Sequence, residues 1–369
     1  ENVAIGYLAL YTATTAANNV AVGTSALQAN TSGTDNVAVG DRSLDANTTG
    51  SDNTALGDNA LGGNTTANYN TAVGSSALLV STVGTGNTAV GYTTLDANTT
   101  GAYNVAVGYN SLSANTTADA NTAIGNSVMT ANTTGTLNTA VGQAALASNT
   151  TANNNVAIGV SALNANTTGT SNTAVGYQAL NLNATNDNNT AVGLGALENN
   201  VNDSNTAVGY YSLRANTTGE NNVALGVQAL NANTTANNNV AVGRNALLVN
   251  TTGLQNIAVG TYALDANTTA ANNVGIGHGA LSANTTGANN VAVGSNVLDA
   301  NTTADNNTGV GYLALSASTT GASNVAVGAY ALDANTTASY NTAVGDNSLG
   351  ANTTGDANEA FGYYALNAN

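Results

Sequence analysis

The sequence has no cysteine, no proline and no tryptophan, and each absence limits what can hold the chain together. Without cysteine there can be no disulfide framework and no thiolate metal site, so stability must come from packing and backbone pairing. The lack of proline fits a structure in which nearly every backbone N–H is needed for a hydrogen bond. The sequence leaves the redox compartment undetermined.

Positive charge is almost missing as well. Three basic residues stand against 19 acidic ones, for a formal net charge of −16. A chain of this kind lacks the basic surface that nucleic acid or an anionic membrane requires, so we expect no nucleic-acid partner. No apolar run approaches the ~20 residues that span a bilayer, so we expect no membrane insertion. Because both ends fall inside the repeat described next, we interpret the chain as a mature or excised piece of a longer protein.

What the sequence does contain is one repeat of 17 residues, seen in clean form at 36–52. It reads Asn-(Thr/Val)-Ala-(Val/Ile/Leu)-Gly-x-x-(Ala/Ser)-Leu-x-Ala-Asn-Thr-Thr-(Gly/Ala)-x-x. The glycine after Ala-Val recurs 22 times from Gly6 to Gly362, and a single 16-residue step precedes Gly209. We number repeat positions from the first Asn, which is position 0. Since the units of a repeat array contact only their neighbours, we predict one continuous array over residues 1–369, irregular near 182–205.

A unit of this length suits one coil of a β-solenoid and is too short for a helical repeat. Positions 1–4 predict a strand that ends at the glycine, positions 7–10 predict a second strand around a nearly fixed Leu, and Asn-Thr-Thr-Gly predicts a long turn. The predicted fold is therefore all-β, a single β-solenoid of 22 coils. At ~4.8 Å per coil it would be on the order of 100 Å long. The Asn at position 0 of every copy predicts a ladder of side-chain amides.

The first strand is apolar or neutral on both faces, which is typical of a strand that is covered on both sides. Positions 7 and 8, for example Ala26-Leu27 and Ala179-Leu180, would add apolar side chains on opposite faces. One thin coil cannot cover both faces, so we expect copies of the chain to associate laterally, as a trimer about the long axis or as a helical filament. Val107 and Leu112 are predicted core residues.

No set of residues predicts catalysis. His278, the only histidine, has no recurring Ser or Asp partner, and the glycines around it lack the lysine of a phosphate loop. The aspartates at position 9 never occupy adjacent coils, so a column of bound calcium is not expected. They are Asp45, Asp96, Asp265, Asp299 and Asp333. We therefore predict a protein that is not an enzyme and has neither metal nor cofactor.

Two features are candidates for function. Position 11 is an Asn that x-Ser or x-Thr follows in 17 copies, the pattern of N-glycosylation acceptors, although Asn-Thr-Thr is also good turn chemistry. These are Asn30, Asn47, Asn64, Asn98, Asn115, Asn132, Asn149, Asn166, Asn183, Asn216, Asn233, Asn250, Asn267, Asn284, Asn301, Asn335 and Asn352. In addition, 11 of the 15 Tyr lie at positions 5 and 6, where they would either bind sugars or pack against a neighbouring copy of the chain.

Position 14 alternates strictly between Gly and Ala from Gly219 to Gly355, which makes a superperiod of two coils. Alanine takes a left-handed conformation poorly, so this position does not require a positive φ in every coil. Either the turn accepts both residues, or two types of coil alternate.

The stretch Asn-Thr-Ala-Val-Gly-Tyr-Gln-Ala-Leu at 172–180, with Asn-Thr-Thr-Gly in other coils, resembles the repetitive shaft of tail-fibre-domain proteins of phages, large viruses and environmental bacteria. More distantly, Asn-Thr-Ala-Ile-Gly at 121–125 is similar to the β-roll heads of trimeric autotransporter adhesins. Both resemblances imply an extracellular, elongated, usually trimeric rod on a cell or virion surface. We expect the structural shaft of an extracellular fibre or filament. The alternative is a surface adhesin that binds glycans through columns of Tyr and Thr. Binding of ice through the same columns has less support.

Overall fold

A computed structural model describes residues 1–367, and their regular secondary structure is entirely β. Twenty-two strands follow one another, one in each coil of the 17-residue repeat. The chain is therefore an all-β β-solenoid, as predicted. It divides into two compact units, residues 1–187 and 188–369, which are described separately. Among the described residues there is no helix long and apolar enough to cross a membrane.

The first unit contains strands β1 to β11. They are Asn2–Ile5, Asn19–Val22, Val37–Val39, Thr54–Leu56, Thr71–Val73, Thr88–Val90, Val105–Val107, Thr122–Ile124, Thr139–Val141, Val156–Ile158 and Thr173–Val175. The second unit contains strands β12 to β22. They are Thr190–Val192, Thr206–Val208, Val223–Leu225, Val240–Val242, Ile257–Val259, Val274–Ile276, Val291–Val293, Thr308–Val310, Val325–Val327, Thr342–Val344 and Glu359–Phe361.

Within each unit the strands of successive coils pair in parallel at identical repeat positions. Ala38 lies opposite Ala55 in the first unit, and Ala224 lies opposite Ala241 in the second. Because side chains alternate along a strand, the Ala at position 2 points inward and is buried, whereas positions 1 and 3 point outward. Each unit thus carries one parallel sheet whose inner column is alanine, except for Gly275 and Gly309 in the second unit.

The single 16-residue step lies inside the second unit and leaves its strands in register, with Thr190 opposite Thr206. The carbonyl of Asn202 accepts the side-chain amides of Asn189 and Asn200, at 2.9 and 2.6 Å. In the other coils the residue at position 14 has this role, so the missing residue lies between positions 11 and 14. As expected for a loss in a turn, no strand changes face.

The predicted second strand at positions 7–10 is wrong, because this segment is a series of tight turns. Its Leu has a left-handed backbone, with φ of 50° at Leu27 and 52° at Leu44, and position 6 is left-handed too. The turns close within the coil, since Gln28 N donates to Ser25 O and Asn30 N donates to Leu27 O, both at 3.2 Å. A chain that curls this tightly cannot alternate its side chains between two faces.

Consequently the side chains at positions 7 and 8 do not lie on opposite faces. Ala26 and Leu27 are both 0% exposed, as are Ala179 and Leu180. The Leu column, the alanines at positions 2 and 7 and two columns of Asn form the buried interior. The outward face of the strands therefore remains as a surface of uncharged side chains that another chain could cover.

The irregular segment predicted near 182–205 includes the division between the two units, at Asp187 and Asn188. That the 22 coils form one continuous array stays a prediction.

Candidate functional sites on the coil

Two columns of buried asparagine run through each unit, at positions 0 and 11. In the first unit Asn36 Nδ2 is 3.1 Å from Asn19 Oδ1, and Asn47 Nδ2 is 3.0 Å from Asn30 Oδ1. The Asn side chain at position 0 also accepts a hydrogen bond from the backbone of the next coil, because Asn36 N donates to Asn19 Oδ1 at 3.0 Å. The amide ladder predicted at position 0 is therefore confirmed, and the second ladder at position 11 is a feature that the sequence analysis missed.

The position-11 ladder is made of the same residues that carry the N-glycosylation pattern. Sixteen of these 17 side chains are 0% exposed, and Asn352 is 2% exposed. In each, Nδ2 donates to the carbonyl at position 14 of its own coil, for example from Asn30 to Gly33 at 3.0 Å and from Asn335 to Ala338 at 3.0 Å. A glycan is attached to this nitrogen, so the folded coil does not present it for modification. Glycosylation of these residues stays a prediction, and their burial argues against it.

From Ala236 onward, the alternation of Gly and Ala at position 14 accompanies a small difference in the lengths of the position-11 hydrogen bonds. In an alanine coil Asn267 Nδ2 lies 2.8 Å from Asn250 Oδ1 and 3.1 Å from Ala270 O. In the next, glycine-containing coil Asn284 Nδ2 lies 3.1 Å from Asn267 Oδ1 and 2.9 Å from Gly287 O. The alanine coils of the first unit have the same pattern, at 2.7–2.9 Å and 3.2 Å.

Tyrosines of positions 5 and 6 lie on the exposed turn that follows the strand, and several pair with a neighbour. Tyr92 and Tyr109, both 55% exposed, stack with ring centroids 5.8 Å apart. Tyr312 and Tyr330 meet edge to face at 5.4 Å. The eleven are Tyr7, Tyr92, Tyr109, Tyr177, Tyr210, Tyr211, Tyr262, Tyr312, Tyr330, Tyr363 and Tyr364. Nine of these rings are exposed, and Tyr211 and Tyr262 are half-buried. Such rings suit either sugar binding or lateral packing, and both roles stay predictions.

The turn surface of the second unit also carries both of its arginines. Arg214 Nε donates to Glu198 Oε2 at 2.6 Å, and its guanidinium lies 4.2 Å from the Tyr211 ring centroid. The bond to Glu198 raises the pKa of Arg214 above its usual range. Arg214 is thus already neutralised by its own chain.

Arg244 lies 5.8 Å from the ring centroid of Tyr262, and His278 meets the same ring edge-on at 6.3 Å. His278, for which the sequence shows no recurring Ser or Asp partner, has an exposed ring, with Nδ1 3.4 Å from Asn296 Oδ1. The clustering of Arg244, Tyr262 and His278 was not predicted. Their spacing along the sequence gives the signal, since they lie at positions 5, 6 and 5 of three successive coils.

Aspartates at position 9 are partly buried beside the turn. Burial raises the pKa of Asp45, Asp96, Asp265, Asp299 and Asp333 above the usual range, and hydrogen bonds from nearby backbone N–H groups oppose the shift. One carboxylate oxygen of Asp265 is buried without a hydrogen-bond partner. Within residues 1–367, no three His, Asp or Glu side chains come together as the ligands of a metal ion would.

The outward face of the strands is a surface of uncharged side chains that repeats from coil to coil. Its position-3 side chains include Leu56 and Leu225, which are 48% and 46% exposed, and its position-1 side chains include Val37 and Val223, both 38% exposed. Apart from Glu359, every residue at these two positions is uncharged. In a chain of net charge −16, this face is almost free of charge.

No protein-family model matches the chain, and no curated protein is significantly similar to it. The resemblance to tail-fibre shafts and to autotransporter heads stays a prediction from the repeat itself.

Proposed function

We propose that this protein is a non-enzymatic structural protein that forms the shaft of an extracellular fibre or filament, on a virion or on a cell surface. Its mechanism is mechanical. Within each unit, ladders of backbone hydrogen bonds join successive coils, and the buried columns of Asn and Leu repeat the same contacts in most coils. In a repeat array the free energy of unfolding is approximately the sum of contributions from each coil and from each interface between neighbouring coils. Added coils therefore add stability.

The observation that carries this proposal is the exposed, uncharged strand face. Isolated apolar side chains are normal on a protein surface, but contiguous apolar columns mark interaction sites. Position 3 is Val, Ile or Leu in 21 of the 22 coils and Phe361 in the last, so the columns continue through each unit. A face with so little charge is also the face on which two strongly acidic copies repel each other least.

The partner is accordingly a second and third copy of the same chain, packed strand face to strand face. Eleven coils at ~4.8 Å give each unit a strand face on the order of 50 Å long. At a width of about 10 Å, two such faces bury roughly 1,000 Å² in total, close to the lower limit for a specific interface. A trimer about the long axis and a helical bundle both satisfy this geometry.

Electron microscopy of the purified chain tests the proposal directly. Rods with three chains in cross-section support a tail-fibre or adhesin shaft, whereas filaments far longer than one chain support a surface or matrix fibril. Monomeric particles at high concentration, together with a monomer mass by sedimentation, would overturn the proposed assembly.

A second candidate function is a surface adhesin that binds glycans through its tyrosines. It is favoured by the tyrosines on the turn surface of each unit, four in the first and seven in the second, including the stacked pair Tyr92 and Tyr109. Substitution of these tyrosines separates the two functions, because an adhesin would lose binding and keep its assembly.

A further inference from the structure

The turn surface of the second unit contains a cluster that neither the fold nor the fibre requires. It consists of Arg244, Tyr262 and His278, which we call the Tyr262 cluster. Backbone pairing between the three coils holds it in place, since Tyr262 N donates to Arg244 O at 3.0 Å and Gly279 N donates to Thr261 O at 3.0 Å. Three successive coils therefore hold a cation, an aromatic ring and an imidazole in a row.

Arg244 has no carboxylate partner within the part of the chain that the structure describes, whereas Arg42 lies beside Asp41 and Arg214 beside Glu198. Its side chain is exposed and lies over the Tyr262 ring. An arginine with this placement offers a planar fork of donors, which matches a carboxylate in two parallel hydrogen bonds.

His278 is the third member of the row. Its exposed ring meets the Tyr262 ring edge-on at 6.3 Å, and its Nδ1 lies 3.4 Å from Asn296 Oδ1. The cluster thus offers a ligand a donor fork and an aromatic surface at one place.

We propose that the Tyr262 cluster binds a carboxylated sugar, such as a uronic acid within an acidic polysaccharide. A sugar ring has an apolar C–H face for the Tyr262 ring and, in a uronic acid, a carboxylate for Arg244. A simple inorganic anion would bind Arg244 alone and make no contact with the ring. The cluster spans two coil steps, about 10 Å, which suits a disaccharide-sized ligand.

This inference does not rest on the proposed fibre, because the cluster lies within one unit of a single chain. It does give the adhesin alternative a specific site and a ligand class.

The test uses the full chain and two matched probes, digalacturonic acid and its methyl ester, which keeps the rings and removes the charge. Isothermal titration calorimetry should give binding of the acid about tenfold tighter than of the ester, as expected for a charge-assisted bond in a partly exposed site. Arg244→Gln should abolish that difference, and Tyr262→Ala should weaken the binding of both probes.

Arg42→Gln and Tyr330→Ala are the controls, since both change a position-6 residue outside the cluster and should leave both affinities unchanged. Arg244 is exposed, so Arg244→Gln should keep the circular dichroism spectrum even if Tyr262→Ala loses its fold. Equal affinity for acid and ester, binding that Arg244→Gln does not alter, or no binding of either probe would each overturn the proposal. Because the readout is binding by one chain, its failure is independent of any result on filament assembly.

Discussion

Asn36 and Asn47 donate their side-chain amides to the same acceptor, the carbonyl oxygen of Gly50, each at 2.9 Å. One of these residues begins the coil and the other begins its long turn. Their meeting at one carbonyl closes the coil by hydrogen bonds between groups that are withdrawn from water. The equivalent contact recurs in coil after coil, for example from Asn104 to Ala118 and from Asn115 to Ala118.

The position-0 ladder predicts a large loss of stability for Asn104→Ala. Asn104 accepts the backbone N–H of Asn121 at 3.0 Å and donates to both Ala118 O and Asn87 Oδ1, so its removal leaves buried groups unpaired. We expect a loss of about 2–4 kcal/mol in the free energy of unfolding, measured by urea denaturation. Asn126→Ala, at an exposed position of the next coil, is the amide-matched control and should change little. An equal loss in both variants would contradict a structural role for the ladder.

The variants Leu112→Asp and Val107→Asp distinguish a residue of the buried core from a residue on the outward strand face. Both residues are predicted core, but Leu112 is 0% exposed and Val107 only partly buried on the outward strand face. Leu112→Asp buries an unpaired charge and should open the coil to limited proteolysis. Val107→Asp should leave the coil resistant to protease and instead weaken association between copies, measured by sedimentation. Unchanged protease resistance in Leu112→Asp would count against the assigned core.

The glycines at position 14 predict that an added methyl group is unfavourable there. A Cβ on Gly253 would overlap the backbone oxygen of Ala270 in the next coil and lie 2.5 Å from Asn250 Oδ1. We expect Gly253→Ala to cost about 1–3 kcal/mol through overpacking, measured as a lower Tm. Gly50→Ala should cost as much, because a Cβ there would overlap Ala67 O and Asn47 Oδ1 in the same way. An unchanged Tm in either variant would contradict a packing role for these glycines.

Removing the charge of Asp265 should stabilise the folded protein by an amount that depends on pH. Burial raises its pKa above the ordinary value of 3.8, so the folded state binds the proton more tightly than the unfolded state. The stability from this group is present at low pH and is lost as pH rises above 3.8 through the folded pKa. Asp265→Asn should therefore raise the Tm at neutral pH and change it little below 3.8. The same change in Tm at both pH values would contradict a burial-driven shift.

The strand and the Asn column could be predicted because they follow from local rules. An Asn at position 0 of every copy, followed by Val-Ala-Val or Thr-Ala-Val, is consistent with parallel pairing at fixed register, as seen for Val105 opposite Thr122. The tolerance of the deletion was predictable for the same reason, since a turn can absorb one residue whereas a strand cannot.

The turn at positions 6–8 could not be predicted from apolar pattern alone. The apolar pair Ala-Leu is typical of a β-strand, yet Leu61 has a φ of 55°. Leucine seldom adopts this left-handed conformation, and here the backbone bonds of the coil and the burial of the side chain outweigh that preference. Position 16 does carry a signal, because Asn18, Asp35 and Asp52 are left-handed there and belong to residue types that tolerate it.

The second Asn ladder was missed because Asn-Thr-Thr satisfies three patterns at once, namely a glycosylation acceptor, a turn and a stacked amide. Only the burial of residues such as Asn149 distinguishes the last of these from the others. The cluster around Tyr262 was missed for a different reason. Its members are 18 and 16 residues apart in sequence and become neighbours only when coils are stacked.

The one-residue deletion after Asn200, together with the unchanged register of Thr190 and Thr206, bears on how such a chain changes its length over evolutionary time. Every coil presents the same edge to the coil above and the coil below. Recombination between misaligned copies of the gene segment that encodes a coil will therefore delete or duplicate whole coils without breaking a single column. Copy number then sets the reach of the molecule, and natural selection can adjust it without redesigning any contact.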